Sequence, residues 1–352
     1  MRTQPGWWRI IPVLAMSLLL LAAGTTAAPM APLTITSGGL CICHAPAYVG
    51  IAKGIFEKHG LNVQILRVAS GFEGLTAVQS GSAHVADAVM AVVAQAAAQG
   101  VAVKAVFMAN GDATGKVATD DYFAVISRRA REIREGRLDD LKGKRIGLPR
   151  GTIAHQYFYY ALQARGLDPT KDVTIQHVSP TDLPSALQSG SVDAIAVWEP
   201  IPLLALGMIS DAVVVYRGGN HIQYLFQRWM SPRYIATNPG TVKKFITAFA
   251  EAAQYARMNP DETTDILLAS DFKGLSRATV RKSLSFLTFD MRVSKATLKA
   301  AQQGFEFAVG VGALKQAPTF EDMTDLRIFN QVLKERPELF KDLPPVPDAL
   351  KL

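Results

Sequence analysis

Two cysteines and a histidine stand within four positions at Cys41-Ile42-Cys43-His44. These residue types ligate soft metals, exchange disulfides or, as a thiolate beside a base, attack electrophiles. A closed structural metal site wants about four ligands, and only His84 and His155 are plausible helpers. Covalent haem needs two residues between the cysteines, whereas one stands here. A bond between Cys41 and Cys43 is disfavoured on an extended chain, where alternate Cα atoms lie near the outer limit of disulfide spacing. The leading reading is pocket wall or local packing, with a soft-metal or thiol-reactive role and a strained disulfide as the alternatives.

Two further stretches carry chemistry. Arg150-Gly151-Thr152 reads as a glycine turn at a helix start, where backbone N–H groups, the Thr152 hydroxyl and Arg150 suit an anionic or acceptor group. Trp198-Glu199-Pro200 sets an aromatic plane beside a carboxylate at a strand end, a pair that stacks on a planar ligand and accepts its N–H groups. Asp87 and Met90 occupy the matching place upstream. Ser179 and Asp182 read as helix caps. There is no Gly-x-Ser-x-Gly elbow, His-Glu-x-x-His or Walker loop.

An internal repeat says which elements must position these groups. Gln79-Ser80-Gly81-Ser82 recurs as Gln188-Ser189-Gly190-Ser191, each copy ending a helical turn at glycine and leading into a short apolar run, 83–86 and 192–197. Upstream, Gly60 and Gly166 end helices over 45–59 and 153–165, and each leads to a strand, 63–68 and 173–178. Strands over 33–36 and 145–148 precede those helices. Each half therefore reads strand, helix, strand, helix, strand, which makes two α/β lobes, each a parallel-rich sheet flanked by helices. Segments 122–126 and 223–226 are the candidate crossing strands, able to act as a hinge. Helices over 242–258, 278–287, 295–309 and 320–333 should return to the first lobe. The expected division is a leader over 1–28, first lobe over 29–126, second lobe over 127–228, and the helical remainder of the first lobe over 229–352.

In such sheets the loops at strand carboxyl ends form the ligand crevice. Six loops converge there: 37–44, 69–72, 87–90, 149–155, 179–182 and 198–200. Counting sixteen residues back from Gly60 and from Gly166 reaches His44 and Arg150, so Cys43 and His44 should face the cleft as Arg150 and Gly151 do. The loops add Gly71, Phe72 and His155.

The chain has 352 residues, 49% hydrophobic, enough for two real cores. Its net charge of +7 is spread out, and the charge-dense run 128–145 alternates in sign, so a nucleic-acid surface is not expected. Arg2 and Arg9, an apolar run over 10–23 and small residues to Ala28 form the pattern of a cleaved secretory leader. That run is shorter than the roughly 20 residues a membrane helix needs. A periplasmic protein is expected.

The run Pro46-Ala47-Tyr48-Val49-Gly50-Ile51-Ala52-Lys53-Gly54-Ile55-Phe56 with Gly60-Leu61, then LKGKRIGLPRGT from Leu141, ALQSGSVDA from Ala186 and WEP from Trp198, resembles the solute-binding proteins of nitrate, sulfonate and taurine ABC importers. Binders of thiamine-precursor pyrimidines and of riboflavin belong to the same superfamily. The resemblance implies a type II periplasmic binding protein, a non-enzymatic monomer without cofactor or metal. It would close on a small organic anion or heterocycle and deliver it to a membrane permease and its ATPase. It places Gly71, Asp87, Gly151, Thr152, Trp198 and Glu199 where such proteins touch ligand. Cys-x-Cys-His departs from the family's usual loop. A same-fold enzyme, or a metal or thiol sensor using Cys41, Cys43 and His44, is the alternative.

Overall fold

The computed structural model describes Met1 and residues 29–117 and 119–352. Apart from Met1, the expected leader lies outside the described residues. Among those described, no helix is long and apolar enough to cross a membrane.

Among the described residues, ten strands order the chain: β1 (Ala31–Gly38), β2 (Leu61–Val68), β3 (Ala86–Ala88), β4 (Lys104–Asn110), β5 (Phe123–Arg128), β6 (Arg145–Leu148), β7 (Thr174–His177), β8 (Ala194–Trp198), β9 (Ala212–Arg217) and β10 (Phe226–Met230). In the second unit the order is β7-β6-β8-β5-β9, with β6 parallel to β7 and β8 and with β5 antiparallel to both its neighbours. The first unit repeats this. There β1 pairs β2 in parallel, a bridge between Ile35 and Val85 joins β1 to the β3 side, and β10 lies antiparallel between β3 and β4. Each unit thus has three parallel-type strands from its own βαβ repeat and one antiparallel strand inserted beside the third. The inserted strands are the two segments where the chain changes unit, β5 and β10.

The repeated tetrapeptide works the same way twice. Helices Gly71–Ser80 and Leu183–Ser189 both stop at a left-handed glycine, Gly81 (φ +82°) and Gly190 (φ +75°), a conformation that costs glycine little. In both, the preceding serine hydroxyl donates to a carbonyl three residues back, Ala77 and Ala186.

Three sequence expectations shift. The helix expected over 45–59 is Ala45–Ala52 followed by the short turn Ile55–Lys58, because Gly54 turns left-handed (φ +64°) between them. The break folds Phe56 back onto Gly50, where a Cβ would collide with the ring. The third strand of the first unit starts at Ala86, and the crossing strand read at 223–226 begins at Phe226. β4 was not read as a strand at all. Its Lys-Ala-Val-Phe-Met-Ala-Asn, buried from Ala105 on, lacks alternation, and a short apolar run does not distinguish strand from buried helix.

Pro239–Met258 packs on Ala45–Ala52 and β2, while Arg327–Glu335 packs on Pro239–Met258 and β4. Lys295–Gly310 rests on Met90–Ala98 and also touches Ile153–Gln163 of the second unit.

Candidate functional site

All six expected loops border one continuous cleft. Its inner chamber, about 80 Å³, opens to an outer groove of about 580 Å³, and Gly38, Gly71, Val92, Thr152 and Trp198 border both. Of the expected residues, Cys43, His44, Gly71, Asp87, Thr152 and Trp198 line the chamber, while Phe72 and Gly151 line the groove.

The loop after β1 carries a Cys41–Cys43 disulfide with Cα atoms 5.2 Å apart. This corrects the expectation that the bond is disfavoured. The stretch is not extended: Ile42–His44 is a single tight helical turn entered from an extended Cys41, and the turn brings the Cα atoms inside the usual disulfide range of about 4.4–6.8 Å. Cys41 Sγ also accepts from the Cys43 N–H (3.3 Å) and lies 3.4 and 3.6 Å from the Tyr122 and Tyr224 hydroxyls. With both sulfurs bonded, neither cysteine is a thiolate nucleophile.

Asp87 forms the chamber floor. Its Oδ1 accepts from the Thr36 hydroxyl (2.7 Å), and its Oδ2 accepts from the Gly38 N–H (3.3 Å). His44 Nε2 lies 3.4 Å from Asp87 Oδ2 and 3.3 Å from the Gly38 carbonyl oxygen. Only an N–H satisfies two acceptors, so the ring proton sits on Nε2 and Nδ1 is a bare acceptor, buried and without a partner among the described residues. Burial lowers the His44 pKa below the ordinary histidine range; Asp87 opposes this and Arg228 adds to it. The imidazole is therefore neutral at pH 7. Arg228 stands opposite Asp87 in the β3–β10 register, fully buried, with its guanidinium 5.2 Å from the Phe226 and Phe249 ring centres. One carboxylate and one guanidinium leave the floor nearly neutral overall. What the chamber offers a ligand is the Asp87 carboxylate, between walls of Val89, Val92, Ile153, Trp198, Tyr224 and Phe226.

The second unit supplies the lid. Trp198, at the end of β8, donates from Nε1 to the Leu40 carbonyl oxygen at 3.1 Å, a bond from one unit to the other across the cleft. Glu199 does not face the ligand space. Its side chain is wholly buried, Oε1 pairs with Arg217 Nη2 at 2.6 Å and Oε2 accepts from Leu203 N–H. Alternation along the strand end explains this: Trp198 points to the cleft, so the next residue points away. Burial raises the Glu199 pKa and Arg217 opposes the rise.

Two other expected residues also lie behind the wall. His155 borders neither compartment; its Nδ1 accepts from Gly151 N–H (3.2 Å), its ring meets Phe307 edge-on at 5.1 Å, and burial, helped by Arg150, lowers its pKa to about 4. It holds the Gly151 turn rather than touching the groove. Met90 is core, packed against Gly304 of the Lys295–Gly310 helix, because the first residue of Met90–Ala98 turns toward that neighbour. Ser179 and Asp182 stand at helix starts, but neither side chain makes a capping bond. The groove further offers Arg150, His177, Gln95 and Gln99.

Sequence reasoning missed Tyr224, Phe226 and Arg228. They lie on or just before the returning strand β10, which no local pattern ties to a loop cluster; the only available signal was that the segment had been read as a crossing strand.

The profile of the NMT1/THI5-like family matches residues 42–263. A Brucella abortus protein, provisionally named a binding protein, is 26% identical over 61% of this chain, which spans only 63% of that relative's length. A Bacillus subtilis protein, provisionally named an aliphatic sulfonates-binding protein, is 26% identical over 83% of this chain and 86% of its own. Among solved structures, the alkanesulfonate-binding protein of Xanthomonas axonopodis pv. citri, bound to MOPS, superposes with a TM-score of 0.71 at 21% identity, covering 85% of this chain and all of its own. These relatives carry binding-protein names, two of them provisional, and the fold is that of the periplasmic binding proteins. With its profile match spanning most of both repeat units and the crossing strands between them, the chain belongs to the NMT1/THI5-like family.

Proposed function

We propose that this protein is the extracytoplasmic solute-binding component of an ABC importer, which captures a small organic solute between its two units and hands it to a permease and its ATPase. The observation that carries this reading is the convergence of six loops from two like sheets on one cleft, closed by the Trp198–Leu40 bond. Two units connected by two crossing segments suit hinge opening and closure. The expected leader and the expectation of a single-chain monomer agree with such a role.

Within the expected class of sulfonate, carboxylate or pyrimidine-like solutes, the donors and acceptors favour one orientation. A sulfonate or nitrate brings only acceptors, and at the chamber floor it would meet the Asp87 carboxylate. A group bearing N–H or O–H donors fits there. An acidic group fits the groove beside Arg150, His177 and the turn at Gly151. The best match is a heterocycle or amide with an acidic substituent, its uncharged end innermost. The chamber's share is small: at about 30 Å³ per water molecule, 80 Å³ takes a few heavy atoms.

A thermal-shift and calorimetric panel of sulfonates, carboxylates, nitrate and pyrimidines on the oxidised protein tests the reading. A saturating ligand at 100 times its Kd adds about 2.7 kcal/mol to stability, enough to see as a melting shift. Silence across the panel, with folded protein and nothing co-purified by mass spectrometry, would overturn it.

A further inference from the structure

The disulfide in the chamber wall is flanked by a histidine already arranged as metal-binding histidines are. Cys41 Sγ, Cys43 Sγ and one imidazole nitrogen of His44 lie within 4.8 Å of one another, and all three residues are buried. A metal–sulfur bond of about 2.3 Å lets two donors of one ion stand up to roughly 4.6 Å apart, so the sulfurs, joined in the oxidised protein, must swing apart after reduction by rotation about their Cα–Cβ bonds to admit the ion. The Nε2–H of His44 is directed at the Gly38 carbonyl and Asp87, which leaves the Nδ1 lone pair unpartnered. A carboxylate or carbonyl behind the far ring nitrogen is what fixes tautomer and orientation in metal-ligating histidines.

We propose that, once a dithiol reductant opens the Cys41–Cys43 bond, Cys41, Cys43 and His44 bind one copper(I) ion at the inner end of the cleft. The dithiol gives up two electrons and two protons and closes to its own disulfide, and the protein sulfurs become two thiols. On binding, both thiols release their protons to solvent, the sulfurs and His44 Nδ1 donate to the ion, and copper stays in the +1 state. Two thiolates and one imidazole form a soft donor set. Asp87 is engaged as the group that orients His44, so the site has three donors, fewer than tetrahedral zinc takes. The Tyr122 and Tyr224 hydroxyls at 3.4 and 3.6 Å from Cys41 Sγ can donate to its thiolate. The copper dithiolate carries one net negative charge; Asp87 and Arg228 cancel each other, so the charge is left to the Tyr122 and Tyr224 hydroxyls to stabilise. A volume of about 80 Å³ suits an ion. The site needs only these three side chains and does not depend on the organic solute.

The test reduces the folded protein with a phosphine, removes the phosphine without oxygen, counts two thiols and titrates copper(I) against the chromogenic chelator bathocuproine disulfonate. The reduced protein is expected to withhold one equivalent from the chelator and the oxidised protein none. Cys43→Ser should weaken binding at least a hundredfold. His44→Gln, which keeps the disulfide and can be checked for its fold before reduction, and Asp87→Asn should each weaken it about tenfold or more. X-ray absorption should show two sulfurs and one nitrogen around copper. Copper passing wholly to the chelator, wild-type affinity in Cys43→Ser and His44→Gln, or loss of the folded state on reduction overturns the proposal. The solute panel on the oxidised protein is unaffected by any of these results.

Discussion

At the residue scale, the side chains most open to misreading are those that sit one position away from the cleft. Wholly buried Glu199 pairs with partly exposed Arg217, and removing the partner of a buried charge typically costs about 3–5 kcal/mol because that charge is left uncompensated. Arg217→Met should therefore lower stability by about 3 kcal/mol in urea denaturation. Glu199→Leu added to Arg217→Met should recover most of the loss, while additive losses would mean that the pair is not coupled. His155 makes a pH prediction. Its pKa is about 4 in the folded protein against about 6.5 for an ordinary histidine, so folding favours the neutral ring. The contribution is fully present above pH 6.5 and is lost as pH falls toward 4, up to about 3 kcal/mol. Wild type should lose more stability between pH 7 and 4.5 than His155→Leu does; parallel pH curves would count against the assignment.

At the element scale, the turn before the Ile153–Gln163 helix matters most. Gly151 is left-handed (φ +76°) and an added Cβ would lie 3.2 Å from the Gln95 amide. A side chain in that conformation costs about 1–2 kcal/mol. Gly143 has the same backbone (φ +75°) with open space around it. Gly143→Ala and Gly151→Ala should therefore lose similar stability, but only Gly151→Ala should weaken solute binding by calorimetry, several-fold, because only its turn borders the groove. Equal affinities in the two variants would remove Gly151 from the site. These elements were legible where a local rule sufficed. The doubled Gln-Ser-Gly-Ser motif located both helix ends, and Trp198, Asp87 and Gly71 came out on the cleft because strand ends and helix starts of a parallel sheet share one edge. β4 was not legible, since an unalternating apolar run has no period, and Gly54 breaks the helix expected over 45–59 by turning left-handed.

At the scale of the whole molecule, the closed cleft rests on few links. Trp198 Nε1 reaches Leu40, and on the far side Tyr160 OH donates to the Gln303 carbonyl, joining the second unit's helix to Lys295–Gly310. Trp198→Phe keeps an aromatic wall but removes the first link. Small-angle scattering should show a larger radius of gyration than wild type without ligand, returning to the wild-type value when the solute saturates. Superimposable curves without ligand would mean that the Trp198 bond does not hold the units together.

The sequence by itself determined the doubled α/β unit, the crossing segments and the six loops that meet, because periodicity, glycine helix ends and the repeat are local or near-local properties. Only the tertiary structure decided which way neighbouring side chains face and what lies opposite them. Cys41 and Cys43 are bonded because one helical turn closes their spacing, Glu199 is buried against Arg217, whose place on β9 is set by sheet order, and Asp87 meets Arg228, which arrives on a strand about 140 residues later. Charge balance and bonding partners depend on distances that a one-dimensional pattern does not contain.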